Sequence, residues 1–210
     1  MIEIIDVPQG DPEWFAARAG LPTASKFSRV MAKGKDGGTS LTRTAYLRQL
    51  AGEILTEEPA PEGYSNDFMA RGHDLEDEAR QLFAFMRDVE PLRVGFIKNG
   101  RMGCSPDSLI GETSGLEIKV AIPAVQIERI QRGTLPSEHV AQVQGSMLVT
   151  GRTTWNFVSY CPKLPPLILT IERDEAYIAQ LAKAVDAFNE ELDALVQSIR
   201  TYQNFKAVAA

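Results

Sequence analysis

Alternating apolar and polar residues in the middle of the chain predict a set of β-strands. Five segments show the alternation expected of strands: 92–98, 103–110, 116–121, 153–160 and 167–172. The glycine-containing segment 111–115 separates the second strand from the third, which indicates a hairpin turn. The fourth and fifth strands lie on either side of a proline-rich turn. The central part of the protein is therefore expected to be a β-sheet.

Apolar residues that recur at three- and four-residue steps predict helices around these strands. A first helix starts at Pro12 and ends at Gly20, and a second one, capped by Thr23 or Ser25, ends near Lys33. The other helices are predicted over 42–55, 67–88, 122–132, 138–149 and from 174 onward. This mixture of strands and helices predicts a single α/β domain over residues 1–210, in which helices flank a central mixed sheet.

The last predicted helix carries an unbroken apolar seam. Its members are Leu181, Val185, Phe188, Leu192, Leu195 and Ile199. A narrow seam of this kind packs either on the body of its own subunit or on another chain, and the sequence leaves both possibilities open.

The hairpin over residues 103–120 carries the charged residues with the clearest chemical use. In a strand successive side chains alternate faces, so Glu117 and Lys119 share one face, and the hairpin folds Asp107 back toward them. Two carboxylates and an ammonium group can hold a divalent cation and act on a water beside it. The alternative is a solvated strand face with a surface ion pair, and the hairpin alone does not decide between the two.

Two helices carry further polar residues that could reach this hairpin. Glu76 lies at the margin of the apolar stripe of its helix, so its carboxylate either points into a site at the sheet edge or pairs with Arg80 four residues later. On the 138–149 helix, Gln142 and Gln144 are separated by about 200°. These two glutamines therefore cannot both face the core.

The charge of the chain is acidic overall but unevenly distributed. The net charge is −6, yet seven basic residues and only one acid, Asp36, lie between residues 18 and 48. The basic residues are Arg18, Lys26, Arg29, Lys33, Lys35, Arg43 and Arg48. Such a segment suits a local site for phosphates, and a helix start with hydroxyl groups beside Arg18 could hold one. A solvated helix face and simple helix capping are the alternatives.

Cysteine content and hydropathy indicate the cellular setting. Cys104 and Cys161 are too few for a disulfide framework and lack partners at zinc-ligand spacing. No apolar run reaches the length of a membrane span, and the N-terminus lacks the features of a signal peptide. We therefore expect a cytoplasmic protein without a membrane partner.

Seven separated motifs occur in order across nearly the whole chain. They are Gln9-Gly10 with Trp14 and Arg18; Gly20 with Thr23-Ala24-Ser25; Arg71-Gly72 with Glu76; Ser105-Pro106-Asp107; Glu117-Ile118-Lys119; Ala141-Gln142-Val143-Gln144 with Ser146-Met147; and Ile171-Glu172-Arg173-Asp174-Glu175. Together they resemble the lambda exonuclease, or YqaJ-type viral recombinase, branch of the PD-(D/E)XK nucleases.

The resemblance implies a PD-(D/E)XK (restriction-endonuclease-like) core and a two-metal-ion site. Asp107, Glu117 and the carbonyl of Ile118 fall on the positions that hold Mg²⁺, for which Mn²⁺ is expected to substitute. Glu76 falls on the position that contributes to a second metal ion. Lys119 corresponds to the lysine that orients or activates the attacking water.

The resemblance also implies two features around the metal site. Gln144 falls on the glutamine found close to the catalytic group, and Arg18, Ser25 and Ser105 match a pocket for the 5′-phosphate of the DNA end. Val125 stands where family members can carry an arginine. Part of the phosphate pocket is therefore expected to be weaker here or to be rebuilt from another basic side chain.

The activity implied by the resemblance is a Mg²⁺-dependent exonuclease. It would degrade one strand of linear double-stranded DNA from the 5′ end, and would leave 3′ single-stranded overhangs for phage-type recombination. Family members form ring-shaped homotrimers and act beside a single-strand annealing protein, so both partners are expected. The alternatives are a PD-(D/E)XK endonuclease of restriction or repair type, and a non-catalytic protein that binds DNA ends.

Overall fold

The computed structural model describes residues 1–34, 37, 38, 40–60 and 67–202, and for residues 67–74 it describes the backbone only. The strands are β1 (Ile2–Ile5), β2 (Phe96–Asn99), β3 (Met102–Cys104), β4 (Ser108–Ile110), β5 (Ser114–Val120), β6 (Thr154–Tyr160) and β7 (Leu167–Glu172). The helices are α1 (Pro12–Arg18), α2 (Phe27–Val30), α3 (Leu41–Thr56), α4 (Asp67–Arg87), α5 (Pro123–Arg132), α6 (Ser137–Thr150) and α7 (Glu175–Arg200). A 3₁₀ turn, Ala24–Lys26, precedes α2.

The strands form two sheets within these described residues. Strands β1, β2 and β3 make an antiparallel sheet. Strands β4, β5, β6 and β7 make a mixed sheet in that order, in which β5 and β6 are parallel and the other two pairings are antiparallel. Parallel neighbours need a crossover connection, which α5 and α6 provide here. The predicted class, a central mixed sheet flanked by helices, is confirmed.

Both faces of the mixed sheet are covered by apolar residues. Leu116 and Ile118 of β5 pack with Phe83 of α4 in one cluster. Trp155 and Phe157 of β6 belong to a second, larger cluster that includes residues of α3, α6 and α7. The face of β5 that carries Glu117 is therefore enclosed by protein, contrary to the alternative of a solvated strand face.

Two predicted elements have different bounds in the structure. The expected strand over 103–110 is divided, because β3 and β4 belong to different sheets and Ser105-Pro106-Asp107 connects them. Pro106 has no N–H to donate to a sheet, which favours a break at this point. The expected helix ending near Lys33 is only the 3₁₀ turn followed by the single turn of α2.

The remaining helices agree with the sequence pattern to within one or two residues, and the position of α7 answers a question that the sequence left open. Leu181, Val185, Phe188 and Leu192 are buried in the larger cluster of the same chain, whereas Ile199 is 52% exposed. Most of the apolar seam is thus used within its own subunit. Across the described residues, no helix is both long and apolar enough to cross a membrane.

Gly115→Ala tests the packing of β5 on β6. An added Cβ would lie 2.3 Å from the Trp155 ring, so we expect overpacking to destabilise the protein by roughly 1–3 kcal/mol. Each kcal/mol should lower the midpoint of thermal unfolding by about 2–4 °C in a chain of this size. Gly52→Ala in α3 is the matched control, because nothing lies within 4 Å of its added Cβ. Equal midpoints of thermal unfolding for the two variants would contradict this packing.

Candidate active site

The β4–β5 hairpin brings the two central carboxylates together. The backbone N–H of Asp107 donates to Leu116 O at 3.2 Å, which extends the β4–β5 pairing by one residue beyond β4. The Asp107 side chain accepts a hydrogen bond from the backbone N–H of Ile118. This bond aligns Asp107 with the segment between Glu117 and Lys119.

Glu117 is a buried carboxylate with one satisfied oxygen and one unsatisfied oxygen. The residue is only 2% exposed. Its Oε1 atom lies 2.6 Å from Lys119 Nζ and accepts a hydrogen bond of 2.6 Å from Gln142 Nε2. Its Oε2 atom has no hydrogen-bond partner among the residues that the structure describes. A buried, unsatisfied carboxylate oxygen is costly, and a bound cation would remove that cost.

The electrostatics of the site follow from this burial. Burial and the charges of Glu117 and Glu76 raise the pKa of Asp107 well above its ordinary value. Burial also raises the pKa of Glu117, against the opposing effect of Lys119. For Lys119, burial lowers the pKa, but the Glu117 and Asp107 carboxylates outweigh burial and raise it overall. The protein's own charges therefore favour the protonated form of Lys119.

Glu76 combines the two roles that the sequence left open. Its Oε1 atom lies 2.6 Å from Arg80 Nη2, so the i,i+4 ion pair exists. The same carboxylate acts on both Asp107 and Glu117 electrostatically and raises their pKa values. Glu76 and Asp107 also line one cleft of about 420 Å³. The side chain of Arg71, in the same motif, is outside the described part of the structure.

The two glutamines of α6 face different parts of the protein, and the one beside the carboxylates is Gln142. Gln144 is 5% exposed; its Nε2 donates to Glu172 O at 3.0 Å and its Oε1 accepts from the Asp174 N–H at 2.9 Å. The hydrogen bonds of Gln144 thus go to the end of β7 and the start of α7, and Gln142 is the glutamine that contacts Glu117. The catalytic role expected for Gln144 stays a prediction, because spacing shows that the two glutamines diverge but does not fix the rotation of α6 about its axis.

Trp14 connects two of the three residues expected at a phosphate pocket. The Arg18 guanidinium lies 3.8 Å from the centroid of the Trp14 ring. The indole N–H donates to Ser105 Oγ at 3.0 Å and to Gly95 O at 3.2 Å. Ser105 is two residues before Asp107, so this chain of contacts runs from Arg18 to the carboxylates. Trp14 occurs in the motif, but its bridging role could not be read from the sequence.

Ser25, the third residue expected at the pocket, lies on the 3₁₀ turn before α2. The residue is exposed, and its Oγ atom is 3.4 Å from Thr23 Oγ1. The turn is held against β3, because Thr23 forms a bridge with Gly103 and Gly103 N donates to Pro22 O at 3.1 Å. The strand that leads into Ser105 therefore also supports the turn that carries Ser25.

A second cleft opens beside Arg18. It has a volume of about 610 Å³ and is bounded by α1, the 3₁₀ turn with α2, and α3. Its basic lining residues are Arg18, Lys26 and Arg29, and Glu53 is the one acid among the described residues that line it. The basic segment noted in the sequence thus contributes three cations to one concave surface.

Val125, at the position where family members can carry an arginine, is half-buried on α5. The arginines that follow it differ from each other. Arg129 points inward, and its Nη1 atom donates to Ser159 Oγ at 3.1 Å. Arg132 is 68% exposed in its side chain and pairs with Glu128 at 2.6 Å.

The available ligands suit a hard, partly hydrated cation. No group of three or more His, Cys, Asp and Glu side chains gathers at metal-binding distance in the described part of the chain. Two carboxylates, Asp107 and Glu117, together with the carbonyl of Ile118, are oxygen ligands. Mg²⁺ is usually bound by one or two carboxylates and keeps several of its waters. The unsatisfied Glu117 Oε2 atom fits such an ion.

A mixed sheet flanked by helices, with P-D directly before one strand and E-x-K on the adjacent strand, is typical of the PD-(D/E)XK class of folds. Within that class, the chain belongs to the YqaJ-like viral recombinase family, whose domain matches residues 13–153. The resemblance seen in the sequence is confirmed, and family membership supports a nuclease.

Solved structures agree with this assignment. The chain is similar to LHK-Exo, an alkaline exonuclease from Laribacter hongkongensis. The structure of LHK-Exo in complex with dAMP matches with a TM-score of 0.81 and 36% identity over 90% of this chain and 96% of that one. A second LHK-Exo structure matches with a TM-score of 0.81 and 35% identity. It covers 90% of this chain and 96% of that one.

Two more distant comparisons cover the fold and a shorter segment. A phage-related exonuclease from Haemophilus somnus 129PT matches with a TM-score of 0.64 and 17% identity over 85% of this chain and 96% of its own, and so supports the fold alone. The putative uncharacterized protein ExoD of Escherichia coli K12 is 37% identical over 68 residues, which are 31% of this chain and 78% of that protein.

Substitution of the two glutamines separates catalytic positioning from stability. Gln142→Ala should lower kcat for nuclease cleavage with little change in thermal unfolding, because Glu117 loses a donor that orients it. Gln144→Ala should instead lower the free energy of unfolding by about 1–3 kcal/mol, because the Asp174 N–H loses its acceptor. The kcat for nuclease cleavage and the thermal unfolding of both variants test these two expectations. Inactivation by Gln144→Ala at unchanged stability would contradict the reassignment.

Proposed function

We propose that this protein is a Mg²⁺-dependent exonuclease that degrades one strand of linear double-stranded DNA from its 5′ end. The product would carry a 3′ single-stranded overhang suited to recombination by strand annealing. The observation that carries the proposal is the buried, unsatisfied Oε2 atom of Glu117 beside Asp107 and Lys119. Membership of the YqaJ-like family and the similarity to an alkaline exonuclease support the same reaction class.

Asp107, Glu117 and the carbonyl of Ile118 are the residues proposed to hold Mg²⁺, with Mn²⁺ as a substitute. Glu76 is proposed to contribute to a second ion, since its carboxylate already acts on both of the others. The bound ions would supply Lewis-acid stabilisation of the negative charge that develops on the phosphate. Their positive charge would also offset the burial and the carboxylate repulsion that raise the pKa values of Asp107 and Glu117.

Lys119 and Gln142 are proposed to orient the reacting groups. Without a bound ion, the Glu117 and Asp107 carboxylates raise the pKa of Lys119 against the lowering effect of burial, and so favour its protonated form. A protonated ammonium can position a water and stabilise charge on the phosphate, and it cannot accept a proton from that water. Gln142 donates to the same Glu117 oxygen as Lys119, so the second oxygen is directed toward the proposed ion.

The DNA end is proposed to lie on the Arg18 side of the carboxylates. Arg18, Ser25 and Ser105 would bind the 5′-phosphate, and Trp14 would fix the separation between Arg18 and Ser105. Because Ser105 is two residues from Asp107, one short segment would contact both the terminal phosphate and the catalytic centre. This arrangement favours cleavage at a set distance from an end over cleavage at an internal site.

A single domain, a homotrimeric ring and a single-strand annealing protein complete the proposal. The single domain rests on the pattern of strands and helices, and the ring and the annealing protein rest on the family resemblance. The apolar seam of α7 is mostly buried in its own chain. A ring would therefore use other surfaces between its subunits.

Divalent cations should stabilise the protein in a pH-dependent way. The raised pKa values of Asp107 and Glu117 mean that, without metal, stability falls as pH rises, because the unfolded chain releases these protons more readily. Mg²⁺ should therefore raise the melting temperature more at about pH 8 than at about pH 5. The expected gain at saturation is on the order of 2.7 kcal/mol at one hundred times Kd.

Asp107→Asn provides the control for the cation effect. This variant should be more stable than the wild type in a chelator at about pH 8, by roughly 1 kcal/mol, since one of two repelling carboxylates becomes neutral. It should also lose the Mg²⁺-induced shift. Asp186→Asn removes an exposed acid of α7 and should keep the wild-type shift. A full Mg²⁺ shift in Asp107→Asn would remove Asp107 from the proposed metal site.

The DNA reaction is tested with linear duplexes carrying a 5′-phosphate or a 5′-hydroxyl, beside covalently closed circles. In Mg²⁺, linear duplexes should be degraded, and those with a 5′-phosphate should be degraded faster than those with a 5′-hydroxyl. Covalently closed circles should persist. Rapid loss of circles would instead identify an endonuclease, and DNA binding without any cleavage would identify a non-catalytic end-binding protein.

Arg18→Ala should selectively slow the degradation of duplexes with a 5′-phosphate, because the Arg18 guanidinium is proposed to contact the terminal phosphate. Arg48→Ala is the matched control, since Arg48 is an exposed arginine of α3. Equal slowing of both end types by Arg18→Ala would contradict a phosphate-specific role.

A further inference from the structure

A second cationic group lies on the β6 side of the catalytic strand. The Arg129 guanidinium of α5 donates through Nη1 to Ser159 Oγ at 3.1 Å, and its Nη2 atom lies 3.2 Å from His139 Nε2. Ser159 is the direct neighbour of Lys119 in the parallel β5–β6 pairing. Arg129 and His139, named here the Arg129–His139 pair, are thus next to the strand that carries Glu117 and Lys119.

The pair is also joined to the catalytic centre through α6. His139 and Gln142 are three residues apart on this helix, so their side chains are neighbours on its surface, with Cβ atoms about 5–6 Å apart. Gln142 is the residue that donates to Glu117 Oε1. The imidazole therefore lies about one helical turn from a direct contact of the catalytic carboxylate.

Buried hydrogen bonds fix the position of the Arg129 guanidinium. Ser159 Oγ, which accepts from Arg129, donates to Gln126 Oε1 at 2.7 Å. Gln126 is fully buried, and its Nε2 atom donates to Ser159 O at 3.0 Å and to Pro165 O at 2.8 Å. The imidazole of His139 packs on the Phe157 ring with 5.2 Å between centroids. A cation held in this way loses little conformational entropy when it binds an anion.

The positive charge of the pair is only weakly compensated. Burial, together with Lys119 and Arg129, lowers the pKa of His139 to about 4, so the imidazole is neutral near pH 7. Its Nε2 atom can then accept from Arg129, which leaves a proton on Nδ1 to donate. The nearest carboxylate described for Arg129 is that of Glu138, at 3.8 Å with a side chain 61% exposed. An exposed pair at that distance contributes little.

Two other half-buried arginines of the protein, Arg43 and Arg80, are compensated at much closer range. Arg43 forms a two-pronged pair with Glu191 at 2.6 and 2.8 Å. Arg80 pairs with Glu76 at 2.6 Å and also contacts Asp77. The Arg129 side chain is 13% exposed, similar to the 15% and 10% of those two. Arg129 therefore combines comparable burial with a more weakly compensated charge than Arg43 or Arg80.

The order of strands places this charge opposite the Arg18 side of the site. Strand β5 lies between β4, which follows Ser105 and Asp107, and β6, which carries Ser159. A DNA strand that crosses β5 would thus meet the Arg18–Trp14–Ser105 contacts on one side and the Arg129–His139 pair on the other. Guanidinium, ammonium and imidazole N–H groups are all donors suited to phosphate oxygens.

We propose that Arg129 and His139 bind a phosphodiester of the substrate strand next to the one that is hydrolysed. This inference rests on the proposed DNA substrate and adds a second anchoring point to it. Arg129 supplies charge and paired donors, and His139 orients the guanidinium and adds a donor of its own. Contacts on both sides of β5 would hold the strand across the carboxylates.

Arg129→Gln and Arg132→Gln form a matched pair for the test, because both remove one positive charge from α5. Binding of a labelled duplex is measured in a chelator over a series of salt concentrations. Arg129→Gln should reduce the slope of log K against log salt by about 0.9, the value for one phosphate contact. The exposed Arg132 should change the slope much less. In cleavage assays, Arg129→Gln should raise KM several-fold with a smaller effect on kcat.

Three further outcomes bear on the proposal. Arg129→Lys keeps the charge and should restore the salt slope; a Lys variant as impaired as Arg129→Gln would indicate a structural role only. Equal slopes for Arg129→Gln and Arg132→Gln, or an effect confined to 5′-phosphorylated ends, would overturn the assignment to an internal phosphodiester. A wild type that neither binds nor cleaves DNA would refute the proposed function itself.

A structural failure of Arg129→Gln can be recognised and avoided. If its cooperative thermal melting is lost, His139→Asn takes its place, because this variant leaves the Arg129–Ser159 bond intact. His139→Asn should raise KM with kcat and the salt slope unchanged, since no charge is removed. An unchanged KM would overturn the proposal.

Discussion

The burial of one carboxylate on a central strand is the constraint on which the site depends. Glu117 is 2% exposed, between a strand face packed on α4 and a second apolar cluster on the other side. A charge in that position needs partners, and the protein supplies Lys119 and Gln142 for one oxygen only. The remaining oxygen, Glu117 Oε2, is suited to bind a cation. Stability and chemistry are therefore linked at a single side chain.

The parallel pairing of β5 and β6 determines which other residues reach this carboxylate. Parallel neighbours require a crossover, and α5 and α6 form it here. The same two helices bring Gln142 to Glu117, and Arg129 and His139 to the neighbouring end of β6. Residues separated by more than twenty positions thus converge because of the sheet topology. This is the arrangement in which open α/β sheets bind ligands at the carboxyl ends of their parallel strands.

The sequence predicted most elements and the central charges, but not every contact. Alternation located β5 and placed Glu117 and Lys119 on one face, because that periodicity is local. It could not show that this face is enclosed, since enclosure depends on α6 packing from far along the chain. Helical spacing separated Gln142 from Gln144, but only tertiary packing selected Gln142 as the partner of Glu117. Strand β1 was not predicted; it has only four residues, and they are largely exposed in the structure.

The bridge formed by Trp14 makes the protein suited to direct optical observation. The chain has two tryptophans, and Trp155 is fully buried. The Arg18 guanidinium lies 3.8 Å from the centroid of the Trp14 ring, and the Trp14 indole N–H donates to Ser105 Oγ. A ligand that draws Arg18 or Ser105 toward itself changes the polarity around one fluorophore and leaves the other unaltered. The intrinsic emission of the unlabelled protein therefore contains a reporter located at the proposed DNA-end pocket, and Trp155 serves as its internal reference.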